Sequence, residues 1–240
     1  MKYFTHLHLH TSYSLNSGTI KIDDLINIAK KRNISSLAMT DHLNIFGAVK
    51  FYNKCIKARI KPIIGCEIPL IIEQNNRIDN IVLLCQNING YYNLNKILSS
   101  IHKSRSSNLG ASLELLKKYS SDLICLSGAR NGLCGVNMLQ TPVDVTRQRI
   151  KSISEIFDDR FYIEIDRTNR VNENEYNNIA LSCARDLSLP IVASNDVLFM
   201  NDTDYEANEV KVSIIQKTKL DDRANQDEYS PDQYFKSQDE

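Results

Sequence analysis

The 240-residue chain carries 29 Lys and Arg residues against 29 Asp and Glu residues, so its formal net charge is zero and no global basic field attracts nucleic acid. A hydrophobic fraction of 42% and a charged fraction of 24% are ordinary for a soluble globular protein. No apolar run approaches the ~20 residues of a membrane span, and the polar start is unlike a signal peptide. Because the six cysteines are scattered and form no Cys-x-x-Cys pair, we expect a protein of the reducing cytoplasm.

Short apolar runs alternate with amphipathic ones along the chain. Apolar positions at helical spacing predict helices over residues 21–32, 47–60, 91–102, 113–119, 143–157 and 173–187, with a last helix from about residue 203. Apolar runs predict strands over residues 6–10, 35–40, 62–65, 81–85, 122–126, 161–165 and 190–193. Regular alternation of strands with helices favours a parallel sheet covered by helices. About seven such units in one domain fit a (β/α) barrel better than an open sheet.

Three of the five histidines lie near the start, at positions 6, 8 and 10. In an extended segment, side chains at this spacing point to one face, with Leu7 and Leu9 on the other. A polar edge strand is the alternative interpretation, but imidazole has no special preference for strands. Because neutral imidazole is the commonest metal ligand in proteins, we favour a metal site here.

Further candidate ligands follow other predicted strands. Asp41 and His42 end the second strand, Glu67 follows the third, and Asp196 follows the last. Asp41 could be a helix N-cap, Glu67 a solvated acid and Asp196 a turn residue. Their joint placement after separate strands nevertheless matches the position of functional residues in a (β/α) barrel. Histidine together with carboxylate suits Zn²⁺, Mn²⁺ or Fe rather than Ca²⁺.

A series of short motifs carries a family resemblance. The motifs are, in order, His8-x-His10-Thr-Ser-Tyr-Ser, Leu37-Ala-Met-Thr-Asp-His42, Lys61-Pro-Ile-Ile-Gly65-x-Glu67, Asn89-Gly-Tyr-Tyr92, Leu126-Ser-Gly128, Phe161-Tyr-Ile-Glu164, Ala193-Ser-Asn-Asp196 and Tyr229-Ser-Pro-Asp-Gln-Tyr-Phe-Lys-Ser237. Through them the whole chain resembles the polymerase-and-histidinol-phosphatase (PHP) domain at the N-terminus of bacterial replicative DNA polymerase III alpha subunits. Their order and the last motif make the resemblance specific.

The resemblance implies an α/β fold, a distorted seven-stranded (β/α) barrel of the PHP type over residues 1–220. Residues 221–240 would form a linker leading toward an absent polymerase core. In intact relatives, about nine His, Asp, Glu and Cys ligands hold up to three metal ions that support phosphoester hydrolysis.

Carried over to this chain, the resemblance implies the metal ligands His8, His10, His42, Glu67 and Asp196. Five other positions where relatives carry ligands are changed, namely Ser17, Asn80, Ala129, Thr168 and Leu198. The remaining ligands suffice for one or two divalent transition metals, Zn, Mn or Fe, or for none. We therefore expect phosphoesterase activity to be weak or absent.

Three functions stay open at this point. The first is the N-terminal domain of a replicative polymerase, which contacts DNA only through the full polymerase. The second, compatible with the first, is a structural module that docks the proofreading 3′–5′ exonuclease subunit and supports the remainder of the polymerase alpha chain. The third is a stand-alone metal-dependent phosphoesterase of the histidinol-phosphatase-like type, or an intrinsic proofreading exonuclease. Nothing in the chain resembles the catalytic aspartates of a polymerase, so we expect no primer extension by these residues, and we expect no membrane partner.

Overall fold

A computed structural model describes residues 4–15, 17–72, 77–104, 109–219 and 228–240. The chain forms two compact units. The first unit contains the described residues up to Ile64, residues 167–171 and the described residues from Ser194 onward. The second unit contains the described residues of 65–166 together with 172–193.

Helices and strands alternate much as predicted, which confirms an α/β fold. The helices are α1 (Ile22–Lys31), α2 (Ala48–Ala58), α3 (Ile88–Lys103), α4 (Leu113–Tyr119), α5 (Val143–Phe157), α6 (Glu173–Asp186) and α7 (Tyr205–Gln216). The strands are β1 (Ser36–Met39), β2 (Lys61–Ile72), β3 (Arg77–Cys85), β4 (Leu123–Leu126), β5 (Phe161–Asp166) and β6 (Ile191–Ser194). No helix in the described part of the chain is long and apolar enough to cross a membrane.

The six strands are hydrogen-bonded in the order β1-β2-β3-β4-β5-β6. β1 pairs with β2 in parallel, as does β4 with β5, but β3 is antiparallel to both β2 and β4. The prediction of an all-parallel sheet is therefore wrong at β3. The physical reason is the connection between β2 and β3, which is only residues 73–76, whereas a parallel pair needs a crossover of a dozen or more residues.

The predicted strand over residues 6–10, called the histidine segment below, does not form a seventh named strand. Leu9 forms an isolated parallel bridge with Val197. The backbone is nevertheless held on two sides, because the Ala38 N–H donates to the His6 carbonyl at 3.0 Å and the Val197 N–H donates to the His8 carbonyl at 3.0 Å. The expected seven strands are thus six among the described residues.

The core of the first unit lies between the histidine segment, β1, α1 and α2. Each helix buries the apolar face that its sequence period predicts, with Ile22, Leu25, Ile26 and Ala29 on α1 and Ala48, Phe51 and Cys55 on α2. Leu9 of the histidine segment is fully buried in the same core. Burial of this alternate face fixes which side of the segment carries the histidines.

Residues 228–240, called the C-terminal segment below, belong to the first unit. The Leu198 N–H donates to the Gln233 carbonyl, and the Phe235 N–H donates to the Phe199 carbonyl, both at 2.9 Å. The Phe235 side chain is fully buried. The predicted boundary between residues 220 and 221 falls within residues 220–227, outside the described residues, so the domain boundaries stay a prediction.

Candidate metal centre

Two imidazoles and one carboxylate meet in the first unit. The Nε2 atoms of His8 and His10 lie 3.7 Å and 3.6 Å from Oδ1 of Asp196. All three residues are buried, and their ligand atoms lie within 4.8 Å of one another. These separations are close to the ~3.4 Å between ligand atoms around a tetrahedral zinc ion. The His8–His10–Asp196 cluster therefore fits one divalent metal ion.

A serine fixes the ring of His10. The Nδ1 atom of His10 lies 2.8 Å from Oγ of Ser14, and the same Oγ accepts the backbone N–H of His42 at 2.8 Å. When Nδ1 donates to Ser14, Nε2 carries the lone pair that a metal requires. Ser14 is fully buried, so the imidazole is held in this orientation by the packed interior of the unit.

The other carboxylate oxygen of Asp196 is already bound by the protein. Oδ2 accepts hydrogen bonds from Nη1 of Arg170 at 2.7 Å and from Nε2 of Gln233 at 3.1 Å. The Gln233 amide also donates to the Asp196 carbonyl at 3.2 Å. Asp196 has a φ of +42°, a left-handed conformation that few residues other than glycine adopt. Aspartate is one of those few, and ten other non-glycine residues of the described chain also have a positive φ, so this conformation alone does not mark a functional position.

A second buried acid, Asp41, is hydrogen-bonded to Thr11, the residue that follows His10. Asp41 accepts the N–H of Thr11 at 2.6 Å and the Thr11 hydroxyl at 2.7 Å. Burial raises the pKa of Asp41 to about 6, although both Thr11 donors and the Lys211 ammonium oppose that shift. The Lys211 ammonium donates to the carbonyls of Ser14 and Gly18 at 2.8 Å and 2.7 Å. The first unit therefore places a buried acid and a partly buried cation around the loop that holds His10.

Comparison with known proteins decides the family. The PHP domain profile matches residues 6–168. The chain belongs to the PHP domain family.

Named relatives that the chain matches are longer proteins. The DNA polymerase III subunit alpha of Pasteurella multocida is 32% identical over 239 residues, which are 99% of this chain and 21% of the relative. The Pseudomonas aeruginosa subunit is 34% identical over 98% of this chain and 20% of its own length. The Escherichia coli K12 subunit is 33% identical over 99% of this chain and 21% of its own length. The chain thus spans about a fifth of the length of these relatives.

Solved structures share the fold at low identity. A proposed metal-dependent phosphoesterase from Bifidobacterium adolescentis is 12% identical, with a TM-score of 0.52 over 80% of this chain and 86% of that protein. An amidohydrolase from Chromobacterium violaceum with bound sulfate is also 12% identical, with a TM-score of 0.56 over 81% and 87%. At this identity the likeness concerns the fold alone.

Two of the five predicted ligands of the PHP site lie outside the cluster. His42 is half-buried and does not belong to the described group whose ligand atoms lie within 4.8 Å. Glu67 belongs to the second unit, where its Oε1 accepts the side-chain amide of Asn80 at 2.9 Å. The structure thus gathers His8, His10 and Asp196, while the ligand roles of His42 and Glu67 stay predictions.

The third histidine of the segment has a different environment. His6 packs against Phe235, with ring centroids 4.6 Å apart, and its Nε2 lies 3.0 Å from the Lys236 carbonyl. Burial lowers the pKa of His6 to about 4, so the ring is neutral at pH 7. His6 therefore holds the C-terminal segment rather than joining the cluster.

Sequence reasoning missed the two groups that bind Asp196 Oδ2. Arg170 lies two residues past Thr168, one of the changed positions of this PHP domain, but an arginine in a polar stretch gives no local sign of burial. Gln233 lies inside the motif that ends at Ser237, so the sequence did mark this residue as part of a family motif. The resemblance predicts a connection to further chain at that motif, whereas the structure also places Gln233 beside Asp196.

Proposed function

We propose that this PHP chain is the N-terminal region of a bacterial DNA polymerase III alpha subunit and acts there as a structural and exonuclease-docking module. The observation that carries the proposal is the alignment of 98–99% of the chain with alpha subunits at 32–34% identity. In this role the chain works in the cytoplasm in DNA replication, next to the remainder of the alpha chain, and meets DNA only through the complete polymerase.

The geometry of the cluster supports a structural role over a multinuclear hydrolase. His8, His10 and Oδ1 of Asp196 would hold one divalent transition metal, Zn, Mn or Fe, which when bound would polarise a water molecule or bind a phosphate oxygen. The second oxygen of Asp196 is taken by Arg170 and Gln233. A site of this kind has the donors for one metal ion, whereas two-metal hydrolysis needs ions about 3.5–4 Å apart, each with its own ligands.

A binding experiment tests the docking role. The purified chain is mixed with the proofreading 3′–5′ exonuclease subunit from the same organism, and the complex is followed by size-exclusion chromatography with light scattering. We expect a 1:1 complex that persists in EDTA, because docking needs no metal. A stand-alone PHP phosphoesterase serves as the control that should not bind. Absence of a complex at micromolar concentrations would contradict the docking role.

A second candidate is a single-metal phosphoesterase, which the His8–His10–Asp196 cluster favours. Hydrolysis of p-nitrophenyl phosphate in the presence of Mn²⁺ or Zn²⁺ tests it, with the His8→Ala/His10→Ala double variant as the control. We expect weak or absent turnover. Steady hydrolysis that the double variant abolishes would instead favour the enzyme.

A further inference from the structure

We propose that Arg170 is a permanent cation of this PHP site and that its guanidinium replaces a metal ion as the charge partner of Asp196. The inference rests on the proposed function, in which the site has donors for one metal ion at most. It adds the group that balances the charge of Asp196 when no metal is bound. It implies that the first unit is stable without bound metal, and that the site becomes dependent on metal when Arg170 is removed.

The burial of Arg170 is the first observation. Its side chain is 1% exposed, and its Nη1 lies 2.7 Å from Oδ2 of Asp196. Moving a charge into the interior carries a large desolvation penalty that only close pairing with an opposite charge offsets. The planar guanidinium also stays protonated at every accessible pH, so its charge is as permanent as that of a metal ion.

The anchoring of the guanidinium is the second observation. Nε of Arg170 donates to the Thr168 hydroxyl at 2.9 Å. Thr168 is the position at which the resemblance expects a ligand histidine. A threonine hydroxyl is a feeble metal ligand but a good acceptor for a guanidinium N–H. Thr168 therefore offers no strong metal ligand at this position and instead anchors the arginine that faces Asp196.

The geometry of Asp196 is the third observation. Arg170 and Gln233 both donate to Oδ2, whereas both imidazoles face Oδ1. A metal ion at Oδ2 would have to displace two hydrogen bonds and to approach a fixed positive charge. Oδ2 of Asp196 is thus occupied by the Arg170 guanidinium and the Gln233 amide, so a metal ion would bind at Oδ1, beside the two imidazoles.

Thermal unfolding of wild type and of variants at Arg170 and Arg149, with and without metal, tests the proposal. Each of wild type, Arg170→Gln and Arg149→Gln is measured in EDTA and in Mn²⁺ or Zn²⁺. Arg149 is the matched control, because it is mostly buried and lies 3.4 Å from the buried Asp79 in the second unit. In EDTA, we expect both variants to melt lower than wild type, Arg170→Gln by roughly 6–20 °C.

The metal dependence is the deciding readout. We expect the wild-type midpoint to shift by no more than about 2 °C between EDTA and metal, whereas metal should restore at least half of the loss in Arg170→Gln and none in Arg149→Gln. Arg170→Lys keeps the positive charge and should stay insensitive to metal. If Arg170→Gln folds only when refolded with metal, the proposal is supported.

Other outcomes overturn it. A wild-type chain that loses stability in EDTA, or an Arg170→Gln variant whose stability or refolding does not respond to metal, would mean that the guanidinium does not stand in for an ion. Neither readout involves the exonuclease, so this proposal and the docking role can fail separately.

Discussion

In the first unit, the buried carboxylate of Asp196 faces two imidazoles and a guanidinium, whereas three buried carboxylates of the second unit accept hydrogen bonds from neutral groups. A fourth buried acid of the second unit, Asp79, has a cation partner, but it lies 3.4 Å from Arg149, farther than the 2.7 Å between Asp196 and Arg170. Glu164 accepts the backbone N–H of Gly128 at 3.0 Å, and Asp166 accepts the Tyr176 hydroxyl at 2.7 Å. Glu67 accepts the Asn80 amide. Among the described residues, the cluster suited to hold a metal ion lies in the first unit, while Glu67, Glu164 and Asp166 of the second unit have partners typical of a structural role.

The two kinds of acid should respond differently when their charge is removed. When an acid accepts hydrogen bonds from a hydroxyl or an N–H, replacing it with its amide lowers the free energy of unfolding only slightly, because an amide oxygen accepts the same hydrogen bond. An acid held by a buried cation cannot be neutralised without leaving the cation in a low-dielectric interior. The largest difference between Asp196 and the acids that have neutral partners should thus appear when charge is removed and shape is kept.

The largest expected effect comes from Asp196→Asn. It removes the charge that faces the buried Arg170, and we expect the free energy of unfolding to fall by about 3–5 kcal/mol. The isosteric Asp166→Asn of the second unit, where Tyr176 donates, should cost about 1 kcal/mol or less. Urea unfolding followed by circular dichroism measures both. Equal losses would remove the distinction between the units.

A smaller effect is expected for Glu164→Ala. Loss of the acceptor leaves the buried N–H of Gly128 without its carboxylate, which should cost about 1–3 kcal/mol. Glu164→Gln keeps an acceptor oxygen and should cost under about 1 kcal/mol. The same urea titration separates them. A Gln variant as unstable as the Ala variant would show that the charge of Glu164 matters and that the second unit is less neutral than described.

Gln233→Ala should have a smaller effect again. It removes a described donor to Asp196 Oδ2 and the acceptor of the Ser230 N–H, and it leaves the arginine in place, so we expect a loss of about 1–2 kcal/mol. Limited proteolysis should also show faster cleavage of the C-terminal segment, with Asn169→Ala as a control for the exposed hydrogen bond to Asp232. Unchanged stability and cleavage would separate the segment from the cluster.

The smallest effect concerns an exposed acid of the first unit. The Tyr234 hydroxyl and the Ser237 N–H lower the pKa of Glu240 to about 2. Because the folded pKa lies below the usual value, any stabilisation is present above pH ~4.5 and is lost as the pH falls toward 2. Solvent screening limits it to about 0.5 kcal/mol. The stability difference between wild type and Glu240→Gln, measured from pH 7 to 3, should shrink as the pH falls. A difference that grows instead would contradict this assignment.

The sequence predicted most elements because their signals are local. The helix over 143–157 follows its apolar period and was confirmed to the residue. The sequence predicts a strand over only 62–65, yet β2 runs from Lys61 to Ile72, through Gly65 and Pro69, which are both unfavourable within a strand. There, pairing with β3 outweighs the local preference.

The candidate site could be predicted only in part. The spacing of His8 and His10 is a local signal, and Asp196 was found through its motif. Arg170 gave no such signal, because its burial depends on a partner 26 positions away in the chain. Pairing over such distances depends on the fold, and the residues that surround Arg170 in the sequence do not predict it.

Metal content by elemental mass spectrometry tests the central claim most directly. The chain is purified without chelator, loaded with Mn²⁺ or Zn²⁺, desalted and measured beside the His8→Ala/His10→Ala variant. The account predicts at most one metal ion per wild-type chain and none in the double variant, because Asp196 shares its second oxygen with Arg170. Two or more ions per wild-type chain, or the same non-zero metal content in both proteins, would contradict it.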